Sequence, residues 1–553
     1  MIRWPPGRSV APRSVRWGVA LSILAVLALG AGPREAAAGV ARAPRVRVAQ
    51  GLLEGRWGTI DGTRVREFRG IPFAAPPIGA LRWRPPARAP AWSGVRDARR
   101  FGPRCPQLPL FPDMMFRSDR MSEDCLYLNV WAPAPSRWPV VTRPRPVLLY
   151  FYGGGFLAGD ASERRYDGAS LAAHGILVVT ANYRLGVFGF LALPALAAES
   201  PHRAAGDYGL LDEVAALDWV RANIAAFGGD PRRITIGGES AGAISVSALM
   251  ASRLSKGSIA GAIGESGALI APIAPQPLAR AERQGRAFAA ALGVRSLAAL
   301  RALPAQALLQ ATRTSPANAA FQPDVDGYFL TEAPARVFAR GAQARVPLLL
   351  GTNSEEASYR ALLGPAAPTP ANYRVALARR FGALGPRVAA LYPGADPEEV
   401  RRSATALASD LFIAHSTWVW MDLQRRTGRA PVYFYRFDRA RPAAAHAAPG
   451  EPRATGAVHS AEIEYALGNL RRNPVYAWTA ADFAVSRILE GYFVRFIATG
   501  DPNGGGLPTW PAVRPARGGL TRQTIGTATR TTIDREMARQ HFLTQYFADH
   551  PSS

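Results

Sequence analysis

A Gly-x-Ser-x-Gly pattern, Gly238 to Gly242, lies between a strand-like run and a helix-like run and limits how the backbone can fold there. The preceding residues, RRITI, favour a buried strand, and the following residues, AISVSALM, favour a helix. Glycines two places before and two places after Ser240 allow a sharp, strained turn that exposes the serine hydroxyl. The pattern therefore indicates a nucleophilic serine where a strand passes into a helix.

A related stretch, AIGESGA, places Ser266 behind the same Gly-Glu pair. It does not complete the pattern, because Ala268 stands where the second glycine is needed. Ser240 is therefore the better candidate for a reactive serine.

Strand-like and helix-like runs alternate along most of the chain. Strands are predicted over 146–152, 176–183, 232–238, 346–352 and 431–437, and helices over 210–227 and 241–251. This alternation predicts an α/β fold with a large, mostly parallel central sheet flanked by helices. Since neither a repeat nor a long linker interrupts it, we expect one domain with loop and helical insertions over residues 39–553.

A serine nucleophile needs a base, an acid that orients the base, and amides that receive an oxyanion. In α/β-hydrolases the order along the chain is serine, acid, histidine. After Ser240, the segment GTNSEEAS supplies Glu355 and Glu356, and the segment GAVHSAEIEYALG supplies His459. The glycines of YGGGF, residues 152–156, follow a predicted strand and offer backbone amides. All the required parts are therefore present in the expected order.

Several blocks together resemble the type-B carboxylesterases, which include the cholinesterases and bacterial para-nitrobenzyl esterases and have the α/β-hydrolase fold. The resemblance runs from about Val48 to about Trp510. It rests on the blocks FRGIPFAAPPIGALRWRPP, SEDCLYLNVWAP, YGGGF, ANYRLGVFGFL, FGGDPRRITIGGESAG, GTNSEEAS, HSAEIEYALGN and TGDPNGGGLPTWP.

The resemblance implies a carboxylic-ester hydrolase that acts on small-molecule esters through an acyl-enzyme and needs neither a metal nor an organic cofactor. It implies Ser240 as the nucleophile, Glu356 as the acid and His459 as the general base. The oxyanion hole would consist of the amides of Gly154, Gly155 and Ala241. A shift of one residue would make Glu355 the acid instead.

Three further residues are expected to support these groups rather than react. By the resemblance, Ser266 is a buried hydroxyl near the triad, and the preceding Glu265 replaces the usual glutamine. Glu239, next to the nucleophile, is expected to favour a cationic histidine or simply to hold the turn. Glu462, three residues after His459, matches a buried family acid and is expected to have a structural role.

Residues 1–38 have the order of a secretory signal peptide. Four arginines precede the apolar run from Trp17 to Gly32, and small residues follow at Ala36 and Ala38, with cleavage expected near Ala38. The alternative, a membrane anchor, would need a run of about 20 apolar residues. We expect a secreted or periplasmic protein without a membrane span in its mature form, and the sequence does not determine its oligomeric state.

Exported proteins reach oxidising compartments in which disulfides form, and Cys105 and Cys125 are the only cysteines in the sequence. We expect them to form a disulfide, which also matches the family's first disulfide, whereas two buried thiols are the alternative. The loop that they close contains no tryptophan, so the sequence does not support the cation site of the cholinesterases.

The formal net charge of +25 raises two further hypotheses. Binding to nucleic acid is not supported, because the arginines are scattered and no nucleic-acid-binding motif is present. A specialised esterase for anionic or polyester substrates remains an alternative, since arginine is abundant. A third alternative, from a different class, is a non-catalytic adhesion or binding protein of the same family.

Overall fold

The computed structural model describes residues 42–135, 143–314, 321–446 and 454–550. The predicted signal peptide, residues 1–38, lies outside the described residues. Residues 43–553 belong to one compact unit. Its strands are β1 Arg45–Val48, β2 Gly51–Glu54, β3 Arg56–Ile60, β4 Thr63–Pro72, β5 Val95–Asp97, β6 Tyr127–Pro133, β7 Arg145–Phe151, β8 Leu177–Ala181, β9 Gly229–Glu239, β10 Gly261–Glu265, β11 Gln276–Pro277, β12 Asp324–Val325, β13 Leu348–Asn353, β14 Val432–Phe437, β15 Pro515–Ala516, β16 Gly519–Ile525 and β17 Arg530–Asp534.

The α-helices connect these strands or form insertions between them. They are α1 Ala169–Ala173, α2 Gly186–Phe190, α3 Pro194–Glu199, α4 Tyr208–Asn223, α5 Ala241–Ala251, α6 Leu278–Ala291, α7 Leu297–Ala302, α8 Ala305–Thr314, α9 Pro334–Ala339, α10 Arg360–Leu363, α11 Pro370–Phe381, α12 Gly385–Leu391, α13 Pro397–Ser409, α14 His415–Thr427, α15 Ile463–Ala466, α16 Ala480–Thr499 and α17 Met537–Asp549. A π-helical turn, Asp410–Ala414, joins α13 to α14.

A 12-stranded sheet organises the molecule, in the order β15-β16-β14-β13-β10-β9-β7-β8-β6-β4-β3, with β17 paired to β16. The strands from β16 to β8 along this order are parallel to one another. Antiparallel pairs lie toward both edges. The predicted α/β fold is confirmed, and the antiparallel edges make the sheet as a whole mixed.

The predicted elements lie close to the observed ones. Strands expected from 146, 176, 232, 346 and 431 correspond to β7, β8, β9, β13 and β14, and the predicted helix 241–251 coincides with α5. The helix expected over 210–227 begins two residues earlier as α4 and ends at Asn223, where a 3-10 turn, Ile224–Phe227, continues it. The predicted strands agree with the observed ones because central strands of a parallel sheet are buried on both faces and appear as continuous apolar runs in the sequence.

Helices cover the centre of the sheet closely. Every residue of α5 is buried, and α5 packs against β9 and β10. Trp420 of α14 lies against Gly264 of β10, where an added Cβ would come within 2.2 Å of the indole ring. This contact requires a glycine in β10. A second, smaller apolar core joins α11, α13 and α17.

Parallel strands place their carboxyl ends at one edge of the sheet, and this edge contains the candidate site. Strands β9, β10 and β13 end at Glu239, Glu265 and Asn353, and their register aligns Glu265 with Glu239 and with Gly351. The residues that follow these strands therefore come together. Among the described residues, no helix is long and apolar enough to cross a membrane.

Candidate active site

Ser240 occupies a strained turn between β9 and α5. Its φ is 54° and its ψ is −120°, and its N–H donates a 2.8 Å hydrogen bond to the carbonyl of Glu265. A Cβ at Gly242 would lie 2.1 Å from the carbonyl oxygen of Phe151, and one at Gly238 would lie 2.5 Å from Gly242. Both glycines are therefore needed for the turn, as the sequence pattern predicts. Such backbone strain costs about 1–3 kcal/mol and is concentrated at functional sites.

His459 connects Ser240 to Glu356. Its Nε2 lies 2.9 Å from Oγ of Ser240, and its Nδ1 lies 2.7 Å from Oε2 of Glu356. Both distances allow hydrogen bonds, and the histidine side chain is 25% exposed while that of Glu356 is fully buried. The three residues selected from the sequence thus form one chain of hydrogen-bonding groups.

The loop that contains His459 is held against the segment after β13. The N–H of Glu355 donates to the carbonyl of Ala457, and the N–H of Ala457 donates to the hydroxyl of Ser354. The carboxylate of Glu355 accepts a 2.7 Å hydrogen bond from Thr455, on the exposed side. In this geometry Glu356, and not Glu355, contacts the histidine.

The second oxygen of Glu356 is also fully engaged. Oε1 accepts a 2.6 Å hydrogen bond from the hydroxyl of Ser266 and another of 2.6 Å from the N–H of Asn353. The side chain of Asn353 donates to Glu462, at 2.6 Å, and the hydroxyl of Ser266 lies 3.3 Å from Glu462. These bonds hold the carboxylate of Glu356 in one orientation toward the histidine.

Buried carboxyl groups surround the imidazole. Oε1 of Glu239 lies 3.3 Å from Nε2 of His459. Burial lowers the pKa of His459, but Glu239, Glu356 and Glu462 outweigh this effect and raise it to about 9. The imidazolium form is therefore strongly stabilised here.

The same burial favours protonated carboxyl groups. Burial raises the pKa of Glu239 to about 8, against the lowering effect of His459, and burial together with Glu356 raises the pKa of Glu462 to about 7. Burial, with Glu462, raises the pKa of Glu265 well above its usual range, and Glu265 accepts a 2.8 Å hydrogen bond from the hydroxyl of Tyr150. Retained protons limit the negative charge packed around the single imidazole.

The three candidate oxyanion amides lie next to the serine. Gly154 and Gly155 adopt φ values of 112° and 64° and line the same cavity as Ser240. Ala241 is the first residue of α5, at the positive end of the helix dipole. Among the described residues, the N–H groups of Gly154, Gly155 and Ala241 donate to no other group. These donors remain available to a bound oxygen.

A cavity of about 390 Å³ opens above Ser240. Its lining is mainly apolar, with Met114, Phe156, Ile244 and Phe412 among its residues. The lining also includes the bound pair Arg165 and Asp113. Such a volume suits a short acyl or alcohol group.

The loop between Cys105 and Cys125, called the disulfide loop, lines part of this cavity. Cys105 and Cys125 are bonded, as predicted, with a sequence separation of 20 residues. A closed loop of this length stabilises the folded chain by about 3 kcal/mol in the chain-entropy treatment. The loop supplies Phe111, Asp113 and Met114 to the cavity, so the disulfide constrains a segment that lines the space above Ser240.

The sequence did not single out some residues that the structure brings to the site. Asn353 belongs to the segment GTNSEEAS, so the sequence already shows a polar side chain three residues before the acid Glu356. Phe412, whose ring lies edge-on to His459 at 5.0 Å, comes from the π-helical turn and has no local sequence signal. The ion pair of Arg165 with Asp113 joins residues 52 positions apart and depends on the tertiary fold. No group of three potential metal ligands occurs in the described parts of the chain.

The parallel sheet and the serine at a strand-to-helix turn define the α/β-hydrolase class. A sequence model of the Carboxylesterase family matches residues 42–542, and the chain belongs to this family. The predicted resemblance is thereby confirmed.

Three relatives of the chain are named as esterases. The chain is 36% identical to the fumonisin B1 esterase of Sphingopyxis macrogoltabida, over 82% of this chain and 83% of that protein. It is 34% identical to the para-nitrobenzyl esterase of Bacillus subtilis (strain 168), over 88% and 96%. It is 35% identical to carboxylesterase 5A of Canis lupus familiaris, over 85% and 84%. The chain is accordingly a serine carboxylesterase that hydrolyses carboxylic esters.

Proposed function

We propose that ester hydrolysis takes place at Ser240, with His459 as the general base and Glu356 as the acid that orients it. The observation that carries this proposal is the position of His459, 2.9 Å from the serine oxygen and 2.7 Å from the glutamate. Serine becomes an effective nucleophile only when a neighbouring base removes its proton. Small-molecule esters that fit the 390 Å³ cavity are the proposed substrates.

In the first half of the reaction, Oγ of Ser240 attacks the ester carbonyl while Nε2 of His459 takes the hydroxyl proton. The carbonyl oxygen becomes an oxyanion and accepts hydrogen bonds from the amides of Gly154, Gly155 and Ala241. Nε2 then gives its proton to the leaving alcohol, and the acyl group remains on Ser240. Water, activated by the same histidine, attacks this acyl-enzyme and releases the carboxylic acid.

Two neighbours assist the histidine in this proposal. Glu356 accepts a hydrogen bond from the protonated Nδ1 of His459 and thereby keeps the ring in the required tautomer. Glu239, 3.3 Å from Nε2, stabilises the imidazolium that forms in both steps. Ser266 and Glu462 act indirectly, since they hold Glu356 and Asn353 rather than the reacting atoms.

We also propose that residues 1–38 direct export and that residues 39–553 form one catalytic domain, secreted or periplasmic after cleavage near Ala38. The order of basic, apolar and small residues supports this, and so does a disulfide, which persists in oxidising compartments. N-terminal sequencing of the exported protein tests it, because a mature chain that retains residues 1–38 would contradict the proposal.

The mechanism is tested by hydrolysis of para-nitrophenyl esters from acetate to long acyl chains, together with covalent labelling by a fluorophosphonate probe. We expect turnover that is highest at one chain length and labelling that maps to Ser240. The Ser240→Ala variant serves as the control and should show neither. A folded protein that is not labelled would favour the alternative of a non-catalytic adhesion or binding protein.

A further inference from the structure

The cavity above Ser240 contains a buried cation. Arg165, from a 3-10 turn over Arg164–Tyr166, lines the cavity although only 4% of its side chain is exposed. Facing it is Asp113 of the disulfide loop, with 35% of its side chain exposed. The lining of the cavity, which is mainly apolar, thus contains this ion pair in the same space as Ser240, Glu239 and His459.

The contacts of Arg165 are unequal. Nη2 donates to both the backbone carbonyl and Oδ2 of Asp113, each at 2.9 Å, and Nε lies 2.6 Å from Oε1 of Glu163. Nη1 forms no hydrogen bond to another group in the described part of the chain. The guanidinium is therefore held from behind by a buried glutamate and from the cavity side by a half-exposed aspartate.

Glu163, Glu464 and Asp113 all favour the charged form of Arg165, and Glu163 has the largest effect of the three. Burial raises the pKa of Glu163 to about 7, so this group carries only part of a negative charge near neutral pH. The neighbouring cation Arg441 is already paired with Glu464, at 2.9 Å. Asp113 is the partner of Arg165 that faces solvent and lies within a loop, and it is the one that can be replaced.

We propose that Arg165 binds a free carboxylate of the substrate in place of Asp113, so that the enzyme selects esters with a second, anionic end, such as half-esters of short dicarboxylic acids. This inference rests on the proposed function of Ser240. A guanidinium presents two parallel N–H donors that match a carboxylate, and an apolar surrounding strengthens the bond. The cavity volume limits the distance between the ester and the carboxylate to a short chain.

Two esters of equal acyl length test the inference: the para-nitrophenyl monoester of glutaric acid, which is anionic, and para-nitrophenyl valerate, which is neutral. The measured quantity is the ratio of their kcat/KM values. The Asp113→Asn variant should raise this ratio about 10-fold, because it frees Arg165 for the substrate. The Arg165→Gln variant should lower it about 10-fold or more.

Arg164→Gln is the matched control, since Arg164 is the exposed neighbour of Arg165 and lies outside the cavity lining. It should leave the ratio unchanged. An equal change in this control would indicate a general charge effect and would contradict the inference. If Arg165→Gln does not fold, the Asp113→Asn variant still tests the inference, because Asp113 is half-exposed. An unchanged ratio of kcat/KM values in that variant contradicts the inference by itself.

The two proposals fail in different ways. Hydrolysis of both esters by the wild-type protein with a ratio that no cavity variant moves contradicts only the role of Arg165. If the wild-type protein hydrolyses neither of the two esters, the proposed function and the inference are both contradicted.

Discussion

The hydroxyl of Ser266 donates a 2.6 Å hydrogen bond to Glu356, the same carboxylate that accepts a bond from His459. The two serines that follow Gly-Glu pairs in the sequence therefore lie at opposite ends of one hydrogen-bonded chain. Ser240 lies at the histidine end and faces the cavity, whereas Ser266 is fully buried behind the acid. The register of β9 and β10 produces this arrangement, because it aligns Glu239 with Glu265.

We expect Ser240→Ala to lose about 10³-fold or more in kcat, because no other hydroxyl contacts Nε2 of His459 among the described residues. Ser266→Ala removes one of two donors to Oε1 of Glu356 and should retain measurable turnover. Steady-state hydrolysis of para-nitrophenyl acetate by both variants measures the difference. Equal losses would contradict the assignment.

The adjacent glutamates provide a matched pair of variants. Glu356→Gln should lower kcat by about 10⁴-fold, since an amide leaves the histidine without its carboxylate partner and favours the wrong tautomer. Glu355→Gln, whose side chain contacts Thr455, should change kcat by less than about 10-fold. The same ester assay, with thermal unfolding as a check on folding, distinguishes them. A large loss in Glu355→Gln would instead support the shifted alignment.

The pH dependence of kcat/KM is expected to follow the ionisation of His459. General-base catalysis needs the neutral imidazole, and its pKa of about 9 predicts a rate that rises with pH up to that value. Glu239→Gln removes a carboxyl group that lies 3.3 Å from Nε2 and ionises with a pKa of about 8. The negative charge that Glu239 gains above that pH no longer favours the imidazolium, so the pKa of His459 falls. The acidic limb should therefore move to lower pH. A limb that stays in place, or moves upward, would show that Glu239 does not act on this histidine.

Stability should respond to pH through buried carboxyl groups away from the reacting atoms. Glu213 of α4 is fully buried, and burial raises its pKa well above its usual range despite the hydroxyl of Ser245. Because the pKa of Glu213 is raised in the folded state, its contribution to the free energy of unfolding is fully present below the pKa of a glutamate in the unfolded chain, near 4.3. This contribution is lost as the pH rises through the pKa of the folded state.

Glu213→Gln removes this ionisation. Its melting temperature should exceed that of the wild type at pH 9, with little difference near pH 4, and each unit of pKa difference is worth about 1.4 kcal/mol. Thermal unfolding across this range provides the measurement. A variant that is less stable than the wild type at pH 9 would indicate that the carboxylate is stabilised by contacts other than those described.

The sequence alone indicated the fold class and the position of Ser240, for physical reasons that act locally. Buried parallel strands are continuous apolar runs, and the turn at Ser240 tolerates only glycine at Gly238 and Gly242, so both features appear in short windows. His459 and Glu356 were found because their segments resemble those of a known family, and not because any property of the residues fixes the 103 positions between them.

Tertiary structure decided what depends on distance between remote segments. The resemblance favoured Glu356 over Glu355, but the contact of Glu356 with the histidine depends on pairing of the Glu355 and Val458 segments, which no window of sequence contains. The partner of Arg165 and the raised pKa of His459 follow from burial and from charges supplied by separate elements. Electrostatic interactions fall off with distance and depend on exclusion of water, so only the folded chain specifies them.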